Sequence, residues 1–278
     1  MIFKRKLYDE MLRWKQQRQG KTALLVEGAR RVGKSTLVEA FAQREYKSYV
    51  LIDFANVSKT IQSLFEDISN LDYFFLRLQN ETGVTLHERQ SVVVFDEVQL
   101  QPLARQAIKY LVKDGRYDYI ETGSLLSIKK NIQNILIPSE ETHLTMHPMD
   151  FEEFLWATGN ESGLDFLRVF WEKKLPLAQA HRKQMRDLRV YMLVGGMPQA
   201  VAAYIELNNL QAVDEVKRDI LKLYESDFHR IDSTGRASRL FRAIPSQLNN
   251  NASRYQVGSV IEGQDADRIA DVVAAMED

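Results

Sequence analysis

Cysteine is absent from the 278 residues, which excludes a disulfide framework, a thiolate zinc site and thiol catalysis, and suits a reducing compartment. Long apolar runs are lacking too: none approaches the roughly 18 residues of a membrane span, and the opening MIFKRKLYDEM has no signal-peptide core. Nor is there an excess of either charge. With 37 basic and 38 acidic residues the formal net charge is −1, so no global field steers the chain to nucleic acid or membrane, and any such binding has to come from a local patch. Five histidines are too scattered to build a metal cluster. What remains is ordinary globular composition, 45% hydrophobic and 27% charged, long enough for one large domain and a small one, with a cytoplasmic location and no membrane as the expectation.

The most informative stretch is ALLVEGARRVGKSTLVEAF, Ala23 to Phe41. An apolar run, a glycine-bounded turn and a helical pattern follow one another, and the turn fits the phosphate-binding spacing Gly-x-x-x-x-Gly-Lys-Ser at Gly28, Gly33, Lys34 and Ser35. In such a loop successive backbone N–H groups face phosphate oxygens, and the next helix adds the positive end of its dipole. Gly28 and Gly33 permit backbone angles and close approach that a Cβ would block. The expected ATP-binding set is therefore Gly28, Ala29, Arg30, Arg31, Val32, Gly33, Lys34, Ser35 and Thr36, with Lys34 on the β and γ phosphates and the Ser35 hydroxyl on Mg²⁺.

Ser91 to Phe95 (SVVVF) is a buried strand that runs straight into Asp96-Glu97. A carboxylate at the end of such a strand, about sixty residues past the loop, is placed to join Ser35 in the Mg²⁺ shell. Glu97 beside it has a separate use, to orient and deprotonate the water that attacks the γ-phosphate. Tyr117 to Gly123 is a further strand, ending in Thr122-Gly123-Ser124. Thr122 and Ser124 are candidates to sense the γ-phosphate or hold the lytic water; the alternative is an N-cap for a helix beginning near Leu125.

Around these motifs the pattern alternates strand and helix, which predicts a parallel sheet covered on both faces. Helices are expected over Ile2–Gln19, Lys34–Arg44, Lys59–Asp67, Leu71–Glu81, Gln101–Gly115 and Leu126–Leu136. Strands are expected over Thr22–Glu27, Tyr49–Phe54 and, as an edge, Thr142–His147. From Asp150 the chain turns helical: Asp150–Thr158, Leu164–Lys174, Arg182–Leu193, Pro198–Glu206 and Leu210–His229. Gly195-Gly196-Met197-Pro198 breaks this run, either as a hinge or as a plain turn between packed helices. Glu152 and Glu153, interleaved with Phe151, Phe154 and Leu155, read as a solvated helix edge.

The combination GARRVGKST, FDEVQ, ETGS, HPMDFEEFLWA at His147–Ala157, VGGMPQAV at Val194–Val201 and IPSQL at Ile244–Leu248 resembles the bacterial and archaeal AAA-type ATPases that carry a C-terminal domain of unknown function. The similarity runs from about Ile2 to Gly263. It implies an α/β P-loop NTPase fold of AAA+-like type, with strands ordered 5-1-4-3-2, then an all-α lid and a winged-helix-like segment. In residue terms it implies the roles above for Lys34, Ser35, Asp96 and Glu97, and a sensor at Thr122 to Ser124. Many relatives have a Gly-Arg pair before the PMDFEEF-like motif; here Ser139-Glu140-Glu141 stands there, so no arginine is carried over. Domains are expected over 1–148 (ATPase core), 149–232 (helical lid) and 233–278 (helix-turn-helix), the last truncated relative to the family.

Between Ser233 and Ile261 there are four arginines and no acid, and Arg236, Arg239 and Arg242 recur at spacing three. They either contact nucleic-acid phosphates, supply a finger to a neighbour's ATP in a homo-oligomer, or are simply solvated. Leu240, Ile244 and Leu248 share the other helical face, with short helices expected over Val257–Glu262 and Asp265–Met276. The function expected is Mg²⁺-dependent ATP hydrolysis. Its rival is a nucleotide-dependent switch with little turnover that engages nucleic acid or a protein partner; a kinase fits least, since nothing forms an acceptor pocket.

Overall fold

Five strands make one parallel sheet: β1 (Ala23–Gly28), β2 (Ser48–Asp53), β3 (Ser91–Asp96), β4 (Asp118–Ser124) and β5 (Glu141–Thr145), in the order β2-β3-β4-β1-β5. This is the expected 5-1-4-3-2 order read from the other edge. The computed structural model describes residues 1–124, 140–177, 180–249 and 254–261; the helices expected over Leu126–Leu136 and Asp265–Met276 lie outside them. The chain divides into two compact units, Met1–Leu210 and Gln211–Asp278.

The apolar strands form because both sheet faces are covered. On one face Leu24, Val26, Val92, Val94 and Ile120 pack against α1 (Leu7–Arg18) and α2 (Lys34–Glu45) through Leu7, Met11, Trp14, Leu37, Val38 and Phe41. On the other, Ala23, Val93, Phe95 and Tyr119 meet α4 (Leu71–Thr82) and α5 (Pro102–Asp114), with the short α3 (Lys59–Leu64) alongside. Side chains of this size contribute about 1.5–3 kcal/mol each when fully buried. An aromatic chain seals that face: Phe65 lies edge-on to Phe54, Phe74 and Phe95 at centroid distances of 5.6, 5.5 and 5.5 Å.

Past the sheet come α6 (Phe151–Ala157), α7 (Gly163–Glu172), α8 (Ala180–Val194) and α9 (Pro198–Leu207), then α10 (Leu210–Ile231) and α11 (Arg236–Asn249). Among the described residues no strand follows Thr145. No single described helix is long and apolar enough to cross a membrane; only α8 and α9 taken together, bent by 118° at the 195–197 break, have the length and composition.

Several boundaries move. α1 starts at Leu7 rather than Ile2, because the Lys6 backbone N–H donates to the Glu153 carboxylate (2.7 Å) instead of entering a helical turn. α3 stops at Leu64, where Phe65 turns the chain and the Asp67 carboxylate then caps the Ser69 N–H at 2.9 Å. In α11, Leu240 is buried and Leu248 is 78% exposed. The apolar face therefore fades along the helix, which carries Pro245 in its interior. Instead of a second helix over Val257–Glu262 there is one 3-10 turn, Val257–Ser259.

Candidate functional site

The loop between β1 and α2 needs its glycines at both ends. Gly28 has φ 147°, and a Cβ there would sit 2.2 Å from the Met146 carbonyl oxygen of the strand's continuation beside it; Gly33, at φ 98°, is the left-handed residue before α2. Arg31 also takes a positive φ, 69°. Lys34 is buried and turned back into the loop, donating to the carbonyls of Gly28 (3.0 Å) and Ala29 (2.9 Å). Burial pushes its ammonium pKa below the ordinary lysine value; Glu97 and Asp96 oppose that shift and Arg30 reinforces it.

Strand register brings the second group to the loop. Phe95 pairs with Glu121 and Val26 with Thr122, so Asp96 and Thr122 emerge side by side at the C-terminal edge of the sheet, where parallel sheets place their ligands. The Ser35 hydroxyl donates to Asp96 Oδ1 at 2.8 Å. Thr122 Oγ1 donates to the same oxygen and accepts the Glu97 N–H at 3.2 Å. Lys34 thus begins a helix whose next residue is tied, through Asp96, to Thr122 and the Glu97 backbone. Glu97 itself is left-handed (φ 55°), and its carboxylate accepts from the Gln99 amide. Gln99 sits in the 3-10 turn Val98–Leu100, two residues on.

A cavity of about 490 Å³ opens at this point, lined by Arg30, Arg31, Gly33, Lys34, Ser35, Thr36 and Glu97 from the expected set. Its other walls are Met1 to Phe3, Arg5, Met146 and the start of α9. That is within the usual range for small-molecule sites. Gly28, Ala29, Val32, Asp96, Thr122 and Ser124 are not on its wall: Val32 is fully buried, Ala29 packs against the sheet core, and Ser124 pairs in register with Gly28. Hard oxygen donors stand together at Ser35 and Asp96, the type Mg²⁺ takes, and two protein oxygens leave positions for phosphate and water, its usual partners.

The sequence reading missed Arg5, Glu152 and Glu153. Both glutamates are buried, at 7% and 5% exposure, which corrects the solvated-edge expectation. The Arg5 guanidinium, also buried, donates to Glu153 (3.1 Å), to the Val32 carbonyl of the loop (2.9 Å) and to the His147 carbonyl (2.6 Å). Glu152 meets Arg168 at 3.0 Å and Lys6 at 2.6 Å. The one local signal was the capping pair: Asp150 caps α6 by accepting the Glu153 N–H, and its own N–H donates back to Glu153.

In the second unit the three arginines are not equivalent. Arg242 makes a two-pronged pair with Glu225 of α10 (2.6 and 2.7 Å), and Arg236 lies 3.7 Å from Asp232. Arg239 is exposed and, among the described residues, lacks such a partner. The acids missing from the 233–261 stretch come from the preceding helix and its end.

Residues 20–155 match the family model described as an AAA domain. Residues 185–278 match a domain of unknown function (DUF8612). Among solved structures the chain is similar to C. elegans PCH-2, at 14% identity over 77% of this chain and 69% of that one, with a TM-score of 0.43. It is also similar to the Thermotoga maritima RuvB Holliday junction branch migration motor (12%, 96% and 85%, 0.42) and to the Aeropyrum pernix ORC1 protein in complex with DNA (11%, 100% and 84%, 0.40). No curated protein matches it. The chain thus carries an AAA domain over 20–155, whose 5-1-4-3-2 sheet lies beneath the loop, and behind it a stretch over 185–278 that matches a domain of unknown function.

Proposed function

We propose that the protein hydrolyses ATP. The observation that carries this reading is the hydrogen-bonded line from Ser35 through Asp96 and Thr122 to the Glu97 backbone, set beside Lys34 at the start of a helix. The loop N–H groups and the α2 dipole hold the phosphates. Lys34 exchanges its bonds to the Gly28 and Ala29 carbonyls for phosphate oxygens. Ser35 and Asp96 would hold Mg²⁺, which when bound would neutralise charge on the phosphates. Glu97 takes a proton from a water whose oxygen bonds to the γ-phosphorus as the bond to the β–γ bridging oxygen breaks, releasing ADP and phosphate. Thr122 keeps the Asp96 carboxylate and the Glu97 peptide in one orientation, while Ser124, two residues further along the strand, is the weaker sensor candidate.

A second reading, a nucleotide-dependent switch with little turnover, draws on the Gln99 amide. It already engages the Glu97 carboxylate, and an oxygen taken up by that amide is not available to an attacking water. Steady-state phosphate release separates the two. Turnover above buffer that depends on Mg²⁺ is expected for the enzyme; tight ATP binding without turnover, with or without DNA and at any protein concentration, replaces it with the switch.

Nucleic acid remains the proposed partner of α11, on a smaller scale than three free arginines would give. Because Arg242 and Arg236 face carboxylates, changing Arg236, Arg239 and Arg242 together to alanine should flatten the salt dependence of DNA binding by about one counterion rather than three. Absence of any binding to duplex or single strands at low salt would remove the partner. An ATPase rate that rises with protein concentration in the wild type, and no longer does in the triple variant, would point instead to an arginine donated between subunits of a homo-oligomer.

A further inference from the structure

We propose that Arg5 is a positioning residue of the phosphate loop, and that the acidic segment His147–Glu153 serves the nucleotide site by holding Arg5 in place. The inference deepens the ATP-binding reading and rests on it. The tripeptide Lys4-Arg5-Lys6 is clamped residue by residue: the Lys4 ammonium lies 4.6 Å over the Trp156 ring, Arg5 pairs with Glu153, and Lys6 meets Asp150 and Glu152 at 2.5 and 2.6 Å. Glu153 uses both oxygens, one for the Lys6 N–H and one for Arg5, while also closing the α6 cap. A buried ion pair of this kind contributes little net stability compared with apolar packing, so holding the fold does not by itself account for it.

The geometry supplies one. Arg5 Nη1 holds the carbonyl of Val32, the residue before Gly33. In a trans peptide the carbonyl and the next N–H point to opposite sides, so fixing the Val32 carbonyl also fixes the direction of the Gly33 N–H, one of the backbone donors that anion binding by a loop requires. The same acidic segment carries the other flank of the loop. Met149 N–H donates to the Gly196 carbonyl at 2.7 Å, and a Cβ on Gly196 would come within 2.1 Å of the Met149 carbonyl oxygen. This contact seats Pro198 3.6 Å from the position a Gly33 Cβ would take. Gly33 therefore lies between Arg5 and Pro198, both fixed by residues 147–153.

The test uses the full chain with Arg5→Lys, which keeps the charge but cannot reach three acceptors in a fork, and Glu153→Gln, which keeps the side-chain shape. In nucleotide-free protein, amide hydrogen exchange over residues 29–35 should speed up about tenfold or more in both variants while Ser91–Asp96 in β3 stays unchanged. The Kd for ATP should rise about tenfold, the scale of a misplaced binding group, with kcat reduced less. Wild-type loop exchange and wild-type ATP affinity in folded Arg5→Lys and Glu153→Gln overturn the proposal, and so does exchange that accelerates equally in the loop and in β3, which would mark Arg5 as a support of the fold only. If the wild-type chain binds no nucleotide, the ATP reading fails, and the exchange measurement still decides the assignment of Arg5.

Discussion

Lys34→Ala should bind ATP roughly 10- to 150-fold more weakly than the wild type. Lys34 is a buried cation at the start of α2, and it lines the cavity proposed to take the phosphates. A hydrogen bond to a charged partner contributes about 1.5–3 kcal/mol, and each 1.4 kcal/mol is a factor of ten in Kd. The fold should survive the change. The native state disfavours the charged form of Lys34, as its lowered pKa records, so removing the ammonium relieves a desolvation cost while two loop carbonyls lose a donor. Titration with a fluorescent ATP analogue, alongside thermal unfolding with and without nucleotide, checks both halves. Unchanged affinity in a folded variant would overturn the phosphate-loop assignment.

The sheet was legible in the sequence because parallel strands buried on both faces leave continuous apolar runs, and SVVVFD is buried at every position. The loop was legible because its chemistry needs glycines, lysine and serine contiguous in the chain. Thr122 stood out only as a polar residue at a strand end; its partnership with Asp96 follows from the register of β3 on β4, which single-sequence patterning does not carry. Arg5 was illegible for a plainer reason. Its acceptors are 27, 142 and 148 residues away, and a basic residue inside Lys-Arg-Lys at a chain start has every local mark of a solvated one. Glu152 and Glu153 were misread in the same way: burial of a charged residue depends on a partner brought by another element. The arginines of α11 show the converse, since a stretch without acids looks strongly basic until a neighbouring helix brings Glu225 alongside.

Glu97→Gln should keep ATP affinity and lose turnover. Glu97 reaches the cavity wall and its charge acts on Lys34, while its backbone N–H goes to Thr122 and its carboxylate to Gln99. Glutamine preserves that shape and removes the basic oxygen, so Lys34, Ser35 and Asp96 are left to bind nucleotide as before, and the rate should drop by about 10²-fold or more, the scale of losing a general base. Asp96→Asn should differ in kind. Its carboxylate oxygen accepts from both Ser35 and Thr122, so the change disturbs the Mg²⁺ shell and weakens Mg²⁺-dependent binding together with catalysis. Measuring the ATP Kd and single-turnover hydrolysis for both variants separates the roles. A Glu97→Gln rate equal to a measurable wild-type rate would show that Glu97 is not the base. The Gln99 bond sets the companion expectation. Gln99→Ala frees the Glu97 carboxylate, so under the enzyme reading it should lower kcat by loosening the base, whereas under the switch reading turnover should rise from a near-zero wild-type level, because the base is released from the group that holds it.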